Sequence, residues 1–410
     1  MLAVHDRLCA LALGRPRVQR SQGSAPRHAS LAGADHGPMP FAEELIGPQV
    51  ATTLFHSIQA AAPGGSLHAL PHVAGALDGL SLRERADLLR DALLEDVPGD
   101  HRALADVVRA ARDASPEFRG WLIWPVTSAV ASRAVQRGSA EDLTDAMALL
   151  AELTGRLTSE FAVRALLRHD LDLALPSVQR WTTSPDEHVR RLASEGTRPY
   201  LPWATRVPEL FQRPGVTVPI LDALYRDGSE YVRRSVANHL NDLSRDEPDL
   251  VVATARRWLD APAPTTAALV RRGLRTLVRR GHPGALALLG FAPAAVDVEG
   301  PHVLEAQVPW GGSVRFRAVL RNVGSASARL AIDYVVHHRK ADGRSTAKTF
   351  KLTTRTLDAG EGLEIDRAHS FRQITTRRYH PGAQAVALQV NGVMTAPAPF
   401  ELLPPETEPA

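Results

Sequence analysis

Three acidic residues lie in segments that are otherwise rich in arginine: Glu160, Glu195 and Asp242. Arg191 lies one helical turn before Glu195, and Arg198 follows it closely. A row of guanidinium groups suits a phosphate backbone, but phosphate binding gains nothing from acids. Carboxylates in such a place can stabilise positive charge that develops on a substrate, or can orient an attacking water. The three acids are therefore the candidate catalytic residues of this chain.

Each acid also has a purely structural explanation. Glu160 follows Thr158 and Ser159 at the start of a predicted helix, where a carboxylate favours the positive end of the helix dipole. Glu195 and Asp242 can be ion-pair partners of nearby arginines. The residue pattern by itself leaves both explanations open.

The arginines recur with a period of about 40 residues. The segments DEHVRRLASEGTR (186–198) and SEYVRRSVANHLN (229–241) are visibly related, and a third Val-Arg-Arg follows. The three copies begin at Val189, Val232 and Val270, so they are 43 and then 38 residues apart. Such periods are typical of HEAT-like helical pairs. They predict an all-α HEAT-like helical-repeat solenoid.

A helical projection of the second copy separates an apolar face from a polar one. Val232 and Val236 share one face, whereas Arg234 and Asn238 lie on the opposite face. Stacked repeats place equivalent faces side by side. We therefore expect one concave stripe of arginines, formed by Arg191, Arg234 and Arg272.

After Pro293 the pattern changes to short alternating or β-branched runs with glycine-containing turns, such as Val303 to Val308, Val314 to Leu320 and Leu330 to His338. About seven such strands predict a small all-β immunoglobulin-like sandwich. The fold class is thus multidomain, a helical solenoid followed by a sandwich. The expected divisions are an extension or mis-assigned start (1–38), the helical domain (39–292), the sandwich (298–400) and a flexible tail (401–410).

The composition excludes several other classes. Cys9 is the only cysteine, which excludes an internal disulfide and a cysteine-based zinc site, and we expect no metal. No apolar run approaches the ~20 residues that span a bilayer. The net charge of +3 is modest, yet lysine occurs only at Lys340, Lys348 and Lys351. Arginine supplies the remaining positive charge, which is compatible with nucleic acid as well as with a GC-rich genome. A cytoplasmic, nucleoid-associated monomer is expected.

Four blocks in the helical part resemble the bacterial AlkC/AlkD alkylpurine DNA glycosylases, and the AlkC branch in particular. They are TSEFAVRALLR, HVRRLASEGTRPYLPW, YVRRSVANHLNDLSRDEPDLV and LRTLVRRGHPGALALLG, in that order. The stretches NVGSASARLAIDYVVHH and RRYHPGAQAVALQVNG resemble the immunoglobulin-like extension of some AlkC members. The resemblance covers roughly residues 39–292 and the region after it.

The resemblance implies a clamp on double-stranded DNA that hydrolyses the N-glycosidic bond of cationic N-alkylated bases. The family's catalytic carboxylates fall on Glu160, Glu195 and Asp242, and its aromatic wall falls on Trp203. A buried structural anchor is the alternative for Trp203. The DNA contacts that the resemblance and the arginine stripe imply are Arg164, Arg190, Arg191, Arg198, Arg233, Arg234, Asn238 and Arg272.

The chemistry of such a reaction agrees with the residues present. A ring-alkylated base is already cationic, so it leaves as a neutral molecule, and carboxylates can stabilise the oxocarbenium-like sugar. A lyase-type glycosylase needs an amine nucleophile, commonly lysine, and the helical part has none. This predicts a monofunctional hydrolase without a cofactor. The alternatives are a non-catalytic DNA-binding protein and a HEAT-repeat protein scaffold.

Overall fold

The computed structural model describes residues 45–374 and 377–405. Within them the chain forms two compact units, one ending at Asp242 and the other beginning at Leu243. Helices account for the first unit, and helices followed by strands account for the second. An all-α part followed by an all-β part is the predicted order, and this prediction is confirmed. The expected extension at residues 1–38 lies outside the described residues.

The first unit contains most of the sixteen α-helices of the described residues. In chain order they are α1 (Pro48–Ala61), α2 (Leu70–Val73), α3 (Leu82–Asp96), α4 (His101–Ala114), α5 (Ile123–Arg137), α6 (Ala140–Thr154), α7 (Val163–His169), α8 (Leu171–Trp181), α9 (Glu187–Gly196), α10 (Pro208–Gln212), α11 (Val218–Leu224) and α12 (Glu230–Leu243). In the second unit follow α13 (Pro248–Asp260), α14 (Thr266–Gly273), α15 (Arg275–Arg279) and α16 (Pro283–Leu288).

Polar side chains begin several helices as their sequences predict. Asp100, Ser139, Asp170 and Asp186 each accept a hydrogen bond from a backbone N–H in the first turn of the helix that follows. The side chain thereby satisfies a donor that has no partner inside the helix. Asp186 belongs to the Ser-Pro-Asp break between α8 and α9, so the same break ends one helix and begins the next.

Contacts between successive helices preserve the period read from the sequence. The rings of His188 on α9 and Tyr231 on α12, 43 positions apart, meet edge to face with centroids separated by 5.6 Å. Earlier in the unit, the Arg133 guanidinium on α5 donates to the carbonyl oxygens of Leu94, Val97 and Gly99, which lie 39, 36 and 34 positions before it. Equivalent positions of successive helices therefore lie next to each other, as stacking requires.

Nine strands form two sheets in the second unit: β1 (Val296–Val303), β2 (Gln307–Val308), β3 (Ser313–Asn322), β4 (Ala328–Arg339), β5 (Ser345–Leu357), β6 (Gly362–Ser370), β7 (Gly382–Val390), β8 (Val393–Met394) and β9 (Ala398–Leu402). One sheet has the order β1-β3-β6, and the other β2-β9-β7-β4-β5 with β8 beside β7. Exposed and buried residues alternate strictly along β3, so every second side chain points into the core between the two sheets.

Two details of the sandwich differ from the sequence prediction. The run Val303 to Val308 is not one strand, because β1 ends at Val303 and β2 begins at Gln307. The tail expected to be flexible from residue 401 is ordered to the end of β9, where Leu402 is fully buried and pairs with both β2 and β7. Backbone pairing on both sides holds this strand despite the proline-rich sequence around it.

Two glycines bring the last helices of the second unit against the β7–β8 turn. Gly281, between α15 and α16, and Gly392 both have positive φ, at 75° and 87°. A Cβ on Gly392 would lie 2.3 Å from the Gly281 carbonyl oxygen. Beside them, the Asn391 side-chain amide donates to the Ala292 carbonyl at 2.8 Å. The backbone contact explains why these helices belong to the same unit as the sandwich.

We expect Gly392→Ala to destabilise the second unit by about 2–4 kcal/mol, since it adds a backbone clash to the cost of a positive φ. Gly343→Ala is the matched control. Gly343 has φ 80° but nothing within 4 Å of its Cβ position, so only the backbone cost of about 1 kcal/mol applies. Thermal unfolding followed by circular dichroism compares the two variants, and equal losses would contradict the close approach.

Candidate active site

The three acids come from three different elements of the first unit. Glu160 lies in the turn just before α7, Glu195 in the last turn of α9 and Asp242 in the last turn of α12. They are therefore far apart in sequence, and only the packing of these helices brings them together. This packing decides whether they can act as one site.

Two arginines join the three carboxylates into one chain of ion pairs. The Arg191 guanidinium donates to Glu160, and its Nη2 lies 3.5 Å from Oε1 of Glu195. The Arg198 guanidinium continues the chain: its Nη1 lies 2.5 Å from the same Glu195 oxygen, and its Nε 2.9 Å from Oδ2 of Asp242. We call these five residues the acid–arginine network.

All members of the network are buried, with exposed fractions between 2% and 5%. Burial alone would lower the pKa of an arginine, because it penalises the charged form. The carboxylates outweigh that effect, so the pKa of Arg191 and the pKa of Arg198 are both raised. Three carboxylates and two guanidinium groups are thus directly bonded in the network, and the buried Arg164 guanidinium is close enough to interact electrostatically with Glu160 and Asp242.

Small residues support the geometry of the network. The Thr158 hydroxyl donates to Glu160 at 2.9 Å, and Nη1 of Arg191 approaches the same hydroxyl at 3.3 Å. Gly196 follows Glu195 directly, and a Cβ at Gly196 would lie 2.7 Å from Cγ1 of Val163 at the start of α7. The glycine therefore lets the end of α9, which carries Glu195, approach the element that carries Glu160.

Two residues that the sequence prediction missed pack against the network. His239, fully buried on α12, bridges to α9: its Nδ1 lies 2.9 Å from the Ser194 carbonyl oxygen, and its Nε2 lies 3.2 Å from the Thr217 hydroxyl. Because a carbonyl only accepts, Nδ1 carries the proton and Nε2 accepts from the threonine. Burial lowers the pKa of His239 to about 3, so the ring is neutral.

Tyr231 is the second residue that was missed. The Arg191 guanidinium lies 5.2 Å from the centre of its ring, a distance typical of cation–π contact. Burial raises the pKa of Tyr231 to about 12, and Arg191 acts in the opposite direction. The signal in the sequence was the aromatic residue directly before each of the first two Val-Arg-Arg copies, His188 and Tyr231.

Trp203 lies on the surface, in the loop between α9 and α10. Its residue is 40% exposed, so the alternative of a buried anchor is wrong. Its φ of 63° is unusual for a bulky side chain and costs on the order of 1–3 kcal/mol. The Arg83 guanidinium donates to its backbone carbonyl. The structure therefore holds an aromatic ring outward at some cost in backbone energy.

Three arginines assigned to DNA contact lie inside the unit instead. Arg191 and Arg198 are committed to the network, and Arg164 on α7 is fully buried. The helical projection placed Arg191 on an open face. In the structure that face is buried. The carboxylates of Glu160 and Glu195 provide the ion-pair partners that a buried guanidinium requires. In these positions the three guanidinium groups already have hydrogen-bond partners inside the unit.

Arg190 and Arg233 occupy equivalent positions and make equivalent backbone contacts. Arg190 donates to the carbonyl oxygens five and six residues before it, and Arg233 does the same in its own copy. Arg190 also pairs with Asp227 at 2.7 Å. Each arginine therefore closes the turn that precedes its helix, a structural role in both copies.

The remaining assigned contacts reach the surface. The Arg234 side chain is 30% exposed and pairs with Glu230 at 2.8 Å, and Asn238, one turn later on α12, is partly exposed. Arg272 is exposed on α14, which belongs to the second unit.

The described residues contain no cluster of histidine, cysteine and acidic residues that could hold a metal ion. Among the same residues, no helix is long and apolar enough to cross a membrane.

Acid should destabilise the first unit partly through His239. The unfolded chain takes up a proton near the ordinary histidine pKa of 6.5, whereas the folded form does so only near 3. Stability contributed by the neutral ring is thus present above pH 6.5 and lost as the pH falls towards 3, by about 1.4 kcal/mol per unit. His239→Asn should flatten this slope. Urea unfolding between pH 7 and pH 4.5 measures it, and identical slopes would contradict a neutral buried ring.

Comparison with known proteins finds relatives both of the immunoglobulin-like sandwich and of nearly the whole chain. Residues 297–404 match the family model described as "Uncharacterised protein YhaZ, C-terminal Ig-like domain". Over 363 residues the chain is 29% identical to the uncharacterised protein YhaZ of Bacillus subtilis, covering 88% of this chain and 99% of that protein.

A solved structure also matches over nearly the whole described chain. It is the alkylpurine DNA glycosylase AlkC of Pseudomonas fluorescens, bound to DNA containing an abasic site analog. The sequences are 33% identical, the TM-score is 0.73, and the match covers 88% of this chain and 99% of the other. An identity and a coverage of this size establish common descent. The chain belongs to the AlkC family of alkylpurine DNA glycosylases, in the form that carries a C-terminal immunoglobulin-like domain.

Proposed function

We propose that this protein is a monofunctional DNA glycosylase that hydrolyses the N-glycosidic bond of cationic N-alkylated bases, of the 3-methyladenine or 3-methylcytosine type, in duplex DNA. The observation that carries the proposal is the acid–arginine network, which gathers three carboxylates from three elements into one buried group. The likeness to a DNA-bound alkylpurine glycosylase supports it. We propose further that it acts as a monomer on DNA in the cytoplasm.

The charge of the network suits this reaction. As the bond from C1′ to the base nitrogen breaks, its electron pair stays with the base, which leaves neutral, and the positive charge moves to the sugar. A carboxylate placed beside the sugar stabilises that charge, most strongly in a site of low dielectric constant. Water then adds to C1′ and gives up a proton to a carboxylate. The arginines hold the acids in place through direct ion pairs.

Trp203 fits the recognition of a charged base. An exposed indole attracts a cation over its face, and it also stacks on a base that has left the duplex. Its outward position at a positive φ supports this role, because the ring is available to a ligand. We assign Trp203 to contact with the alkylated base.

Base release tests the carboxylates directly. Incubation with duplex carrying a single 3-methyladenine or 3-methylcytosine should release the base, and Glu160→Gln, Glu195→Gln and Asp242→Asn should each slow single-turnover release by about 100-fold or more. The matched control is Asp227→Asn. Its carboxylate is also largely buried and paired with an arginine, Arg190, outside the network.

The control separates catalysis from stability, because breaking any buried ion pair costs stability. Rates are therefore compared at equal concentrations of folded protein. Wild-type rates in all three network variants would refute the mechanism. Salt-sensitive DNA binding without any base release would identify a non-catalytic DNA-binding protein instead.

Substitution of Trp203 should affect charged bases selectively. We expect Trp203→Ala to slow release of the cationic base by about 2- to 30-fold, the range of a cation–π contact, and Trp203→Phe to retain most of the rate. Competition with oligonucleotides that carry the corresponding neutral base measures the selectivity. An alanine variant with unchanged rate and selectivity would remove Trp203 from the site.

A further inference from the structure

Arg164 is the fully buried arginine that the acid–arginine network does not use. It lies on α7, one helical turn after Glu160. Burial lowers its pKa to about 10, so it still carries a positive charge at neutral pH. A charge in this position requires partners, and the identity of those partners indicates what the residue does.

Every hydrogen bond that the Arg164 guanidinium makes in the described residues goes to one stretch of backbone. Its Nη1 donates to the carbonyl oxygens of Gly196, at 3.0 Å, and Arg198, at 2.8 Å. Its Nε donates to the carbonyl oxygen of Thr205 at 2.6 Å. The remaining nitrogen, Nη2, is buried and has no hydrogen-bond partner among the described residues.

These three carbonyls lie at the two ends of the loop that carries Trp203. Gly196 and Arg198 are where α9 passes into the loop, and Thr205 lies two residues beyond the tryptophan. The single side chain of Arg164 therefore connects the beginning of the loop to its end. We call these three hydrogen bonds the Arg164 clamp. Glu195 lies at the same end of α9 and Arg198 directly follows that end, so the clamp connects the loop to the acid–arginine network.

We propose that Arg164 is a positioning residue, which holds the aromatic ring of Trp203 in register with the carboxylates of the acid–arginine network. The proposal rests on the function proposed above for Trp203. It replaces the expected phosphate contact with a role inside the protein. The planar fork of arginine suits the task because it donates in several fixed directions at once, which the single ammonium of lysine cannot do.

Arg133 supplies a matched control. It is also buried on a helix of the first unit and donates to three backbone carbonyls, those of Leu94, Val97 and Gly99. These carbonyls belong to the α3–α4 connection, which carries neither Trp203 nor a network acid. Arg133→Gln thus removes a clamp of the same kind, and its effects report the general cost of losing one.

The first measurement does not depend on activity. The fluorescence of Trp203 is obtained as the difference between each protein and its Trp203→Phe derivative, since the chain has six tryptophans. We expect Arg164→Gln to change the emission maximum of Trp203 and its quenching by acrylamide, whereas Arg133→Gln leaves both unchanged. Unchanged Trp203 signals in a folded Arg164→Gln protein would overturn the proposal.

The second measurement is a double-mutant cycle on single-turnover base release. A displacement of about 1 Å is enough to remove the contribution of the ring, so Arg164→Gln alone should slow release by about 2- to 30-fold, the same range as Trp203→Ala. In the Trp203→Ala background the same substitution should cost no more than about 2-fold, because the ring it positions is gone. Full additivity would overturn the proposal.

The Arg164→Lys variant distinguishes an effect of the hydrogen-bonding geometry of Arg164 from an effect of its charge. It also replaces Arg164→Gln in both measurements if the glutamine variant does not fold. Lysine keeps the positive charge but loses the fork. We expect it to share the altered Trp203 fluorescence and most of the rate loss, and full rescue by lysine would show that the charge alone matters. If no protein, wild type included, releases a base, the proposed function fails, while the fluorescence comparison still decides the role of Arg164.

Discussion

The first unit is organised around carboxylates that share buried arginines. Arg198 is bonded at once to Glu195 on α9 and to Asp242 on α12, and Arg191 joins Glu195 to Glu160 before α7. Each ion loses its hydration on burial, and only close pairing with good geometry compensates for that loss. The helices that carry these residues are therefore constrained to one arrangement, since a shift of any of them would leave a buried charge without its partner.

The same constraint prepares the site for the proposed reaction. A carboxylate that must first reorient or lose bound water stabilises a cation less, because that rearrangement costs free energy. In this network the arginines have already oriented the acids, and the neutral ring of His239 on α12 is hydrogen-bonded to Ser194 on α9 and to Thr217. Stability and preorganisation thus come from the same contacts. This is why the proposed tests compare each catalytic variant with a control that loses an equivalent structural contact.

Equivalent positions in the repeated segments have diverged in function. Arg190 and Arg233 close the turns before their helices in the same way, and His188 and Tyr231 meet each other. The next position differs: Arg191 is buried in the network, whereas the Arg234 side chain is 30% exposed beside Glu230. A repeat supplies one scaffold several times, and the elements that pack over each copy decide whether its arginine is buried or exposed.

The sequence by itself determined the order of the parts and the identity of the candidate acids. Apolar periodicity marks α12, and short alternating or β-branched runs mark β3 and β4, because local patterns of burial follow directly from helical and strand geometry. The resemblance in the blocks around Glu160, Glu195 and Asp242 selected the residues that the fold brings together. The spacing of Val-Arg-Arg revealed the period of the helices.

Only the tertiary structure decided what surrounds each side chain. A helical projection considers one helix by itself, so by equivalence of the copies it leaves Arg191 on an open face, whereas elements distant in sequence cover that face. The clamp from Arg164 to Gly196 and Thr205 spans 32 and 41 positions, and no local pattern reports such a contact. The same holds for β9, whose proline-rich surroundings suggest a loose tail until its pairing with β2 and β7 is seen. Burial and long-range hydrogen bonding are properties of the packed chain, and they separated the arginines that build the site from those that remain on the surface.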